Sequence, residues 1–228
     1  MRKMKLAAAS LLTLGIGVDV QAYQAGDMIM RFGAATVAPN DESSTVRLNG
    51  GYIVSGGEAK VDSDTQAGVT FAYLLTENLG VELLAATPFK HNITGNKNLQ
   101  GALGIKDLGE AKHLPPTLTL QYYFNGLSSS MTPYVGAGVN YTTFFSEDAS
   151  HDLESTLGGK TSLKLSDSWG LAAQAGLDIQ LNDNWLLNAA VWYIDIETKA
   201  TFKSPAGTVK TDVRVDPWVY MAGIGYKF

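Results

Sequence analysis

Trp218-Val-Tyr-Met-Ala-Gly-Ile-Gly-Tyr-Lys-Phe228, the last eleven residues, alternate a large apolar set with a smaller mixed one. A strand repeats every two residues, so Trp218, Tyr220, Ala222, Ile224, Tyr226 and Phe228 share one face, while Val219, Met221, Gly223, Gly225 and Lys227 share the other. A soluble sheet would bury such a stripe in its core. This chain instead stops on the strand at an aromatic carboxy-terminus, with Trp and Tyr spaced as in interfacial girdles, which fits a barrel in a bacterial outer membrane better. Ile224, Tyr226 and Phe228 then resemble the assembly signal on which such barrels end, so the barrel assembly machinery and outer-membrane lipids are expected partners.

The amino-terminus agrees. Arg2, Lys3 and Lys5 precede an apolar run from Leu6 to Val18, and Val20-Gln21-Ala22 is a small-residue cleavage pattern. Residues 1–22 are therefore read as an export signal removed after Ala22, leaving a single domain of residues 23–228. The loss of three cations and Asp19 takes the formal charge from -5 to -7. Such an acidic chain offers no basic stripe, so no nucleic-acid partner is expected. The absence of cysteine removes disulfides and thiolate metal sites. Beyond the signal, no stretch reaches the roughly 18 apolar residues of a membrane helix, so any crossing is made by strands.

Eight alternating segments are expected near 27–37, 66–76, 79–90, 113–124, 132–146, 168–181, 184–199 and 211–228. Short connections at Glu77-Asn78, Asn125 to Met131 and Asn182-Asp183 take turns with long ones at 38–65, 91–112, 147–167 and 200–210. An up-and-down barrel with this rhythm gathers its long loops on one rim and its tight turns on the other. Parity points the same way. In the sixth segment Trp169, Leu171, Ala173, Ala175, Leu177, Ile179 and Leu181 oppose Ser168, Gly170, Ala172, Gln174, Gly176, Asp178 and Gln180. Apolar outside and small or polar inside is the inverse of a soluble barrel. Within the second long connection, 98–108 is read as a short helix over the rim.

Four stretches carry a family resemblance: Gly80-Val-Glu-Leu-Leu-Ala-Ala-Thr-Pro-Phe89, His113-Leu-Pro-Pro-Thr-Leu118, Pro133-Tyr-Val-Gly-Ala-Gly-Val-Asn-Tyr-Thr-Thr-Phe-Phe145 and Asp167-Ser-Trp-Gly170. In this order they resemble the OmpW family of small outer-membrane barrels. The resemblance implies an eight-stranded barrel with a hydrophobic channel, linked to uptake of small apolar molecules such as alkanes or terpenes. It also implies a constriction between a Leu on strand three and a Trp on strand seven, which here are Leu84 and Trp192. The long loops match no family pattern.

The inward-facing residues make their own case. On strand seven Leu186, Asn188, Ala190, Trp192, Ile194 and Ile196 share the inward parity, and on strand three Leu84, Ala86 and Pro88 share it with Glu82. Arg31, Glu82, Gln121, Gln174 and Asp178 face inward toward the periplasmic half or the middle, where an eight-stranded lumen forces them to pair as a polar plug. Above it an apolar vestibule is expected, lined or gated by Leu84, Pro88, Trp192, Ile194, Ile196, Val219 and Met221. An apolar solute buried there gains about 25 cal/mol per Å². The same side chains are equally able to fill a closed barrel. Pro88 and Pro115-Pro116 lack ladder donors and mark a place where the wall can part, although proline is also ordinary at a strand's start.

No catalytic chemistry is expected. His91, His113 and His151 show no spacing that puts two on one face of a strand or helix, so no metal site is foreseen. His151 with Asp148 and Asp152 reads as a solvated loop lacking a nucleophile, and Arg31 with Glu82 as structural pairing. The expectation is an all-β, eight-stranded antiparallel up-and-down transmembrane barrel behind a cleaved signal peptide, with no cofactor. It takes up small apolar solutes through its lumen. The alternative is a sealed structural or surface-receptor barrel that meets phage, colicin or host through its long loops.

Overall fold

The computed structural model describes residues 23–40, 42–43, 47–48, 51–52, 58–128 and 130–228. Residues 1–22, the expected export signal, lie outside the described residues. In chain order the strands are β1 (Met28–Ala38), β2 (Glu42–Ser43), β3 (Arg47–Leu48), β4 (Gly51–Tyr52), β5 (Ala59–Val61), β6 (Asp64–Leu74), β7 (Leu79–Ala86), β8 (Phe89–Gly95), β9 (Asp107–Leu114), β10 (Thr117–Tyr123), β11 (Met131–Ala149), β12 (Ser162–Leu165), β13 (Ser168–Gln180), β14 (Trp185–Ile194), β15 (Glu197–Ser204), β16 (Gly207–Arg214) and β17 (Trp218–Lys227). Two short helices, α1 (Lys97–Leu103) and α2 (His151–Thr156), interrupt them.

Eight strands close a ring. β1, β6, β7, β10, β11, β13, β14 and β17 pair antiparallel in that order. β17 then returns to β1, from Ile29 opposite Lys227 to Ala38 opposite Trp218. Closure leaves this ring without an edge strand, the condition for spanning lipid. Tight turns join its lower ends. In one, Asn182 Oδ1 accepts the backbone N–H groups of Asn184 and Trp185 at 3.1 and 2.9 Å and closes the β13–β14 hairpin.

The outer face of this ring is apolar and bare. Phe32, Leu120, Leu171 and Tyr220 are all at least half exposed, a surface that only lipid solvates well. Aromatic pairs bound it at both ends: Trp185 with Tyr226 below, and Tyr193 with Trp218 and Tyr141 with Trp169 above. From Trp185 to Tyr193 is eight residues, roughly 26 Å along the strand. At the usual barrel tilt that covers about 20 Å of depth, close to the thickness of an outer-membrane apolar band.

Above the upper girdle the polarity of the two faces inverts. Lys199, Lys203, Lys210, Asp212 and Arg214 point outward, while Ala200, Phe202, Val209 and Val213 are buried inside. This is the pattern of a barrel standing in water. The long connections expected as loops are thus largely wall: β5, β8 and β9 continue into the upper half of β11, then β12, β15 and β16, the last flanked by β2 and β3. The helix expected at 98–108 is α1, and it is shorter. Asn96 caps its start by accepting the Leu99 N–H at 3.0 Å, and Gly104 ends it in the left-handed region at φ 71°. Leu108 belongs to β9 instead.

Candidate functional site

The interior is stratified, as the inward residues of β14 and its continuation show: Asn188, Ala190, Trp192, Ile194 and Ile196 are all buried and belong to successive layers. The lowest layer is a charged network around Arg31, which is fully buried. Its Nη1 reaches Glu82 Oε2 at 2.9 Å, and its Nη2 and Nε reach the two oxygens of Asp178 at 2.6 and 3.0 Å. Gln174 donates to Glu82 Oε1 at 2.8 Å and accepts from Gln121 at 3.0 Å and from Thr119 at 3.1 Å. The five polar residues expected to pair across the lumen therefore meet in one network.

Three tyrosines join this network. Tyr23 donates its hydroxyl to Asp178 at 2.7 Å, Tyr123 accepts from Arg31 at 3.2 Å and donates to Gln121 at 2.6 Å, and the guanidinium lies 5.2 Å over the Tyr134 ring. Asn188 bridges Tyr134 and Asp178 at 2.9 and 2.8 Å. Tyr123 and Tyr134 had a readable signal, since both share the inward parity of their strands.

A packed apolar layer follows. Leu84, Trp192, Ile194, Val219 and Met221 are inward and between 0 and 4 % exposed. The uppermost layer is a cavity of about 90 Å³ inside the water-exposed part of the wall. β15 and β16 line it with Ala200, Phe202, Val209 and Val213, α1 with Leu99 and Leu103, and α2 and its C-cap with Leu153 and Leu157. Of the seven residues expected to line a vestibule, Ile196 alone reaches this cavity. Pro88 departs from its expected inward position: it is exposed, because the chain breaks between β7 and β8 there. The lining residues of the upper wall went unanticipated, although Val209, Thr211, Val213 and Val215 alternate with charged residues as plainly as any strand in the chain.

One seam of the wall is both unpaired and rich in proline. The β7–β10 register ends with Leu84 opposite Thr117, and the β8–β9 register begins with Phe89 opposite His113. Between them, residues 85–88 face 114–116 without ladder pairing across this seam, and three of those seven are proline, which lacks the N–H a ladder needs. This seam lies at the level between the packed layer, where Leu84 sits, and the base of the cavity, where His113 sits.

His91 and His113 correct a second expectation, because β8 and β9 bring them together. Their Nε2 atoms are 2.9 Å apart, and His91 Nδ1 lies 2.6 Å from the Asp62 carbonyl oxygen. Phe89 and Phe144 flank His113 with ring centroids at 5.6 and 5.8 Å. Burial in this apolar setting, reinforced by His91, pushes the His113 pKa down to about 3. Between that value and the ordinary histidine pKa the unfolded chain binds a proton that the folded chain refuses. Stability from this group is therefore complete above about pH 6.5 and is lost as pH falls toward 3. Amide exchange in β8 and β9 should accelerate from pH 6.5 to pH 4 more steeply in the wild type than in His113→Phe, after correction for intrinsic exchange. Equal slopes would refute this assignment.

His151, at the start of α2, is fully exposed and pairs with Glu154 at 3.4 Å. Asp148 and Asp152 are exposed as well, and the hydroxyls of Ser150, Ser155 and Thr156 all donate to backbone carbonyls. No cluster of three metal-ligating residues occurs among the described residues.

The model of the OmpW family matches residues 24–228. Outer membrane protein W of Vibrio cholerae is 49 % identical over 226 residues, covering 99 % of this chain and all of that protein. The crystal structure of the outer membrane protein OprG from Pseudomonas aeruginosa superposes with a TM-score of 0.84 at 49 % identity, covering 92 % of this chain and 99 % of that one. A more distant relative, the dibenzothiophene metabolism operon protein PahQ of Pseudomonas aeruginosa, is 29 % identical over 198 residues, 87 % of either chain.

Proposed function

Since this chain belongs to the OmpW family and is a bacterial outer-membrane barrel, we propose that it takes up small hydrophobic molecules through its upper cavity and releases them sideways into the bilayer. Outer-membrane barrels carry their long extensions on the extracellular side, so the cavity opens toward the medium. A solute enters beneath α1 and α2, exchanges water for apolar wall, and descends toward Trp192 and Leu84. There the Arg31 network blocks the axis, and the unpaired stretch between residues 85–88 and 114–116 offers a lateral exit.

The observation that carries this reading is the stacking: an almost wholly apolar cavity above a charged floor, with a proline-rich unpaired seam of the wall at the level between them. The name of PahQ, which ties that relative to the metabolism of a polycyclic apolar compound, is consistent with it. One observation favours the alternative of a sealed barrel, namely that Leu84, Trp192, Ile194, Val219 and Met221 are buried together in one apolar cluster. On the uptake reading this layer is the floor above which a solute turns outward.

The two readings separate in liposomes. Wild-type protein should accelerate uptake of toluene over protein-free vesicles, and Trp192→Asp, which sets a carboxylate in the apolar layer, should cut that uptake roughly tenfold, the equivalent of 1.4 kcal/mol. Uptake of toluene no faster with the protein than without it would leave the sealed barrel standing.

A further inference from the structure

We propose that the His91–His113 pair makes the cavity a binding site for apolar molecules bearing one hydroxyl group, alcohols and phenols, whose O–H is accepted by His113 Nδ1. This rests on the uptake reading and specifies its solute class.

The hydrogen-bond polarity of the pair sets which group can bind. The Asp62 carbonyl can only accept, so His91 Nδ1 carries the proton and donates to it. In the neutral ring His91 Nε2 is then bare, and the short contact to His113 Nε2 requires that His113 donate. The second His113 nitrogen, Nδ1, is left as a lone pair. It is buried and has no hydrogen-bond partner.

Among the described lining residues the other acceptors are weaker hydroxyl oxygens. Thr198 and Thr211, the cavity's other polar lining residues, already donate to the Ser166 and Asp212 carbonyls. His113 alone among the lining residues has a buried polar side-chain atom without a partner. A single water is a poor occupant, since it needs two to four polar partners and the described lining holds one unpartnered buried polar atom. A cationic amine or a carboxylate would enter charged and lose its hydration against leucine, valine and phenylalanine. A neutral hydroxyl on an apolar body satisfies the lone pair while the rest of the molecule fills the cavity. The β8–β9 pairing that holds the ring also borders the unpaired stretch of wall, so the acceptor stands where a descending solute would turn outward.

Phenol and toluene, nearly equal in shape, test this on the full-length protein in lipid nanodiscs with ¹⁵N-labelled histidine. Phenol should move the His113 Nδ1 resonance and toluene should not, while both perturb the methyl signals of Leu99 and Val213. In the double variant His91→Phe/His113→Phe, which also removes the acceptor His91 would otherwise expose, phenol affinity should fall roughly tenfold and toluene affinity should stay within about twofold. An Nδ1 resonance unmoved while phenol fills the cavity, or a phenol preference that survives the double variant, overturns the proposal. A phenol-specific shift without uptake into liposomes would remove the transport reading and leave the binding site in place.

Discussion

Arg31→Met is expected to destabilise the barrel by about 3–5 kcal/mol, the usual cost of removing one partner from a buried ion pair. The geometry favours the upper part of that range. Arg31 is the single cation serving two buried carboxylates, with three of its nitrogens within 3.0 Å of Glu82 or Asp178. Methionine fills a similar volume, so the loss is one of charge balance more than of packing. The triple variant Arg31→Met/Glu82→Gln/Asp178→Asn should therefore recover more than half of it. Gln at 82 can still accept from Gln174, and Asn at 178 can still accept from Asn188 while its amide donates to the Tyr23 hydroxyl. Urea unfolding followed by tryptophan fluorescence, with loss of the folded band on unheated gels, measures both variants. A triple variant no more stable than the single one would show that the site needs the ions themselves.

That network is legible in the sequence to the extent that parity is. A residue's face follows from its distance along the strand, so Arg31, Glu82, Gln121, Gln174 and Asp178 could be placed inside without any tertiary knowledge. Tyr23 could not, because it precedes β1 and has no strand parity to read. The membrane strands are similarly transparent, since lipid requires large apolar residues on the outer face and a small or polar lumen leaves the inner face distinct.

The upper wall is harder to read for a physical reason. Once the barrel leaves the membrane the solvent outside is water, so strands such as β15 and β16 reverse their pattern and present charge outward. Scanning for one polarity of alternation turns them into loops, although Lys199-Ala-Thr-Phe-Lys203 repeats every two residues as clearly as the carboxy-terminal strand does. The meeting of His91 with His113 depends on the register between β8 and β9, which includes a shift at Ile93 and Thr94. Residues 22 apart come into contact only once that register is set, and spacing along the chain says nothing of it.

Gly33→Val is expected to prevent stable closure of the barrel. Gly33 on β1 lies directly opposite Gly223 on β17, the pair of strands that joins the two ends of the ring. A Cβ at Gly33 would penetrate the Ala222 carbonyl oxygen, and one at Gly223 would penetrate that of Phe32. Neither glycine has a positive φ, so what the position demands is space and not conformational freedom. The obstacle is backbone on both sides, so rotating a side chain away relieves nothing. The ladder itself must part, and the cost should exceed the 1–3 kcal/mol typical of overpacking against side chains. Closure already brings together residues almost 200 positions apart, and only the ladder hydrogen bonds and their flanking contacts offset that loss of chain entropy. Gly101 in α1 supplies the contrast, since a Cβ there meets nothing within 4 Å. Gly101→Ala should leave closure intact and stabilise the helix by up to about 1 kcal/mol. Refolding into detergent, scored by the heat-sensitive gel shift of a closed barrel, should fail for Gly33→Val and succeed for Gly101→Ala. A Gly33→Val protein that refolds with wild-type yield would mean that β1 and β17 can separate at this point without opening the ring.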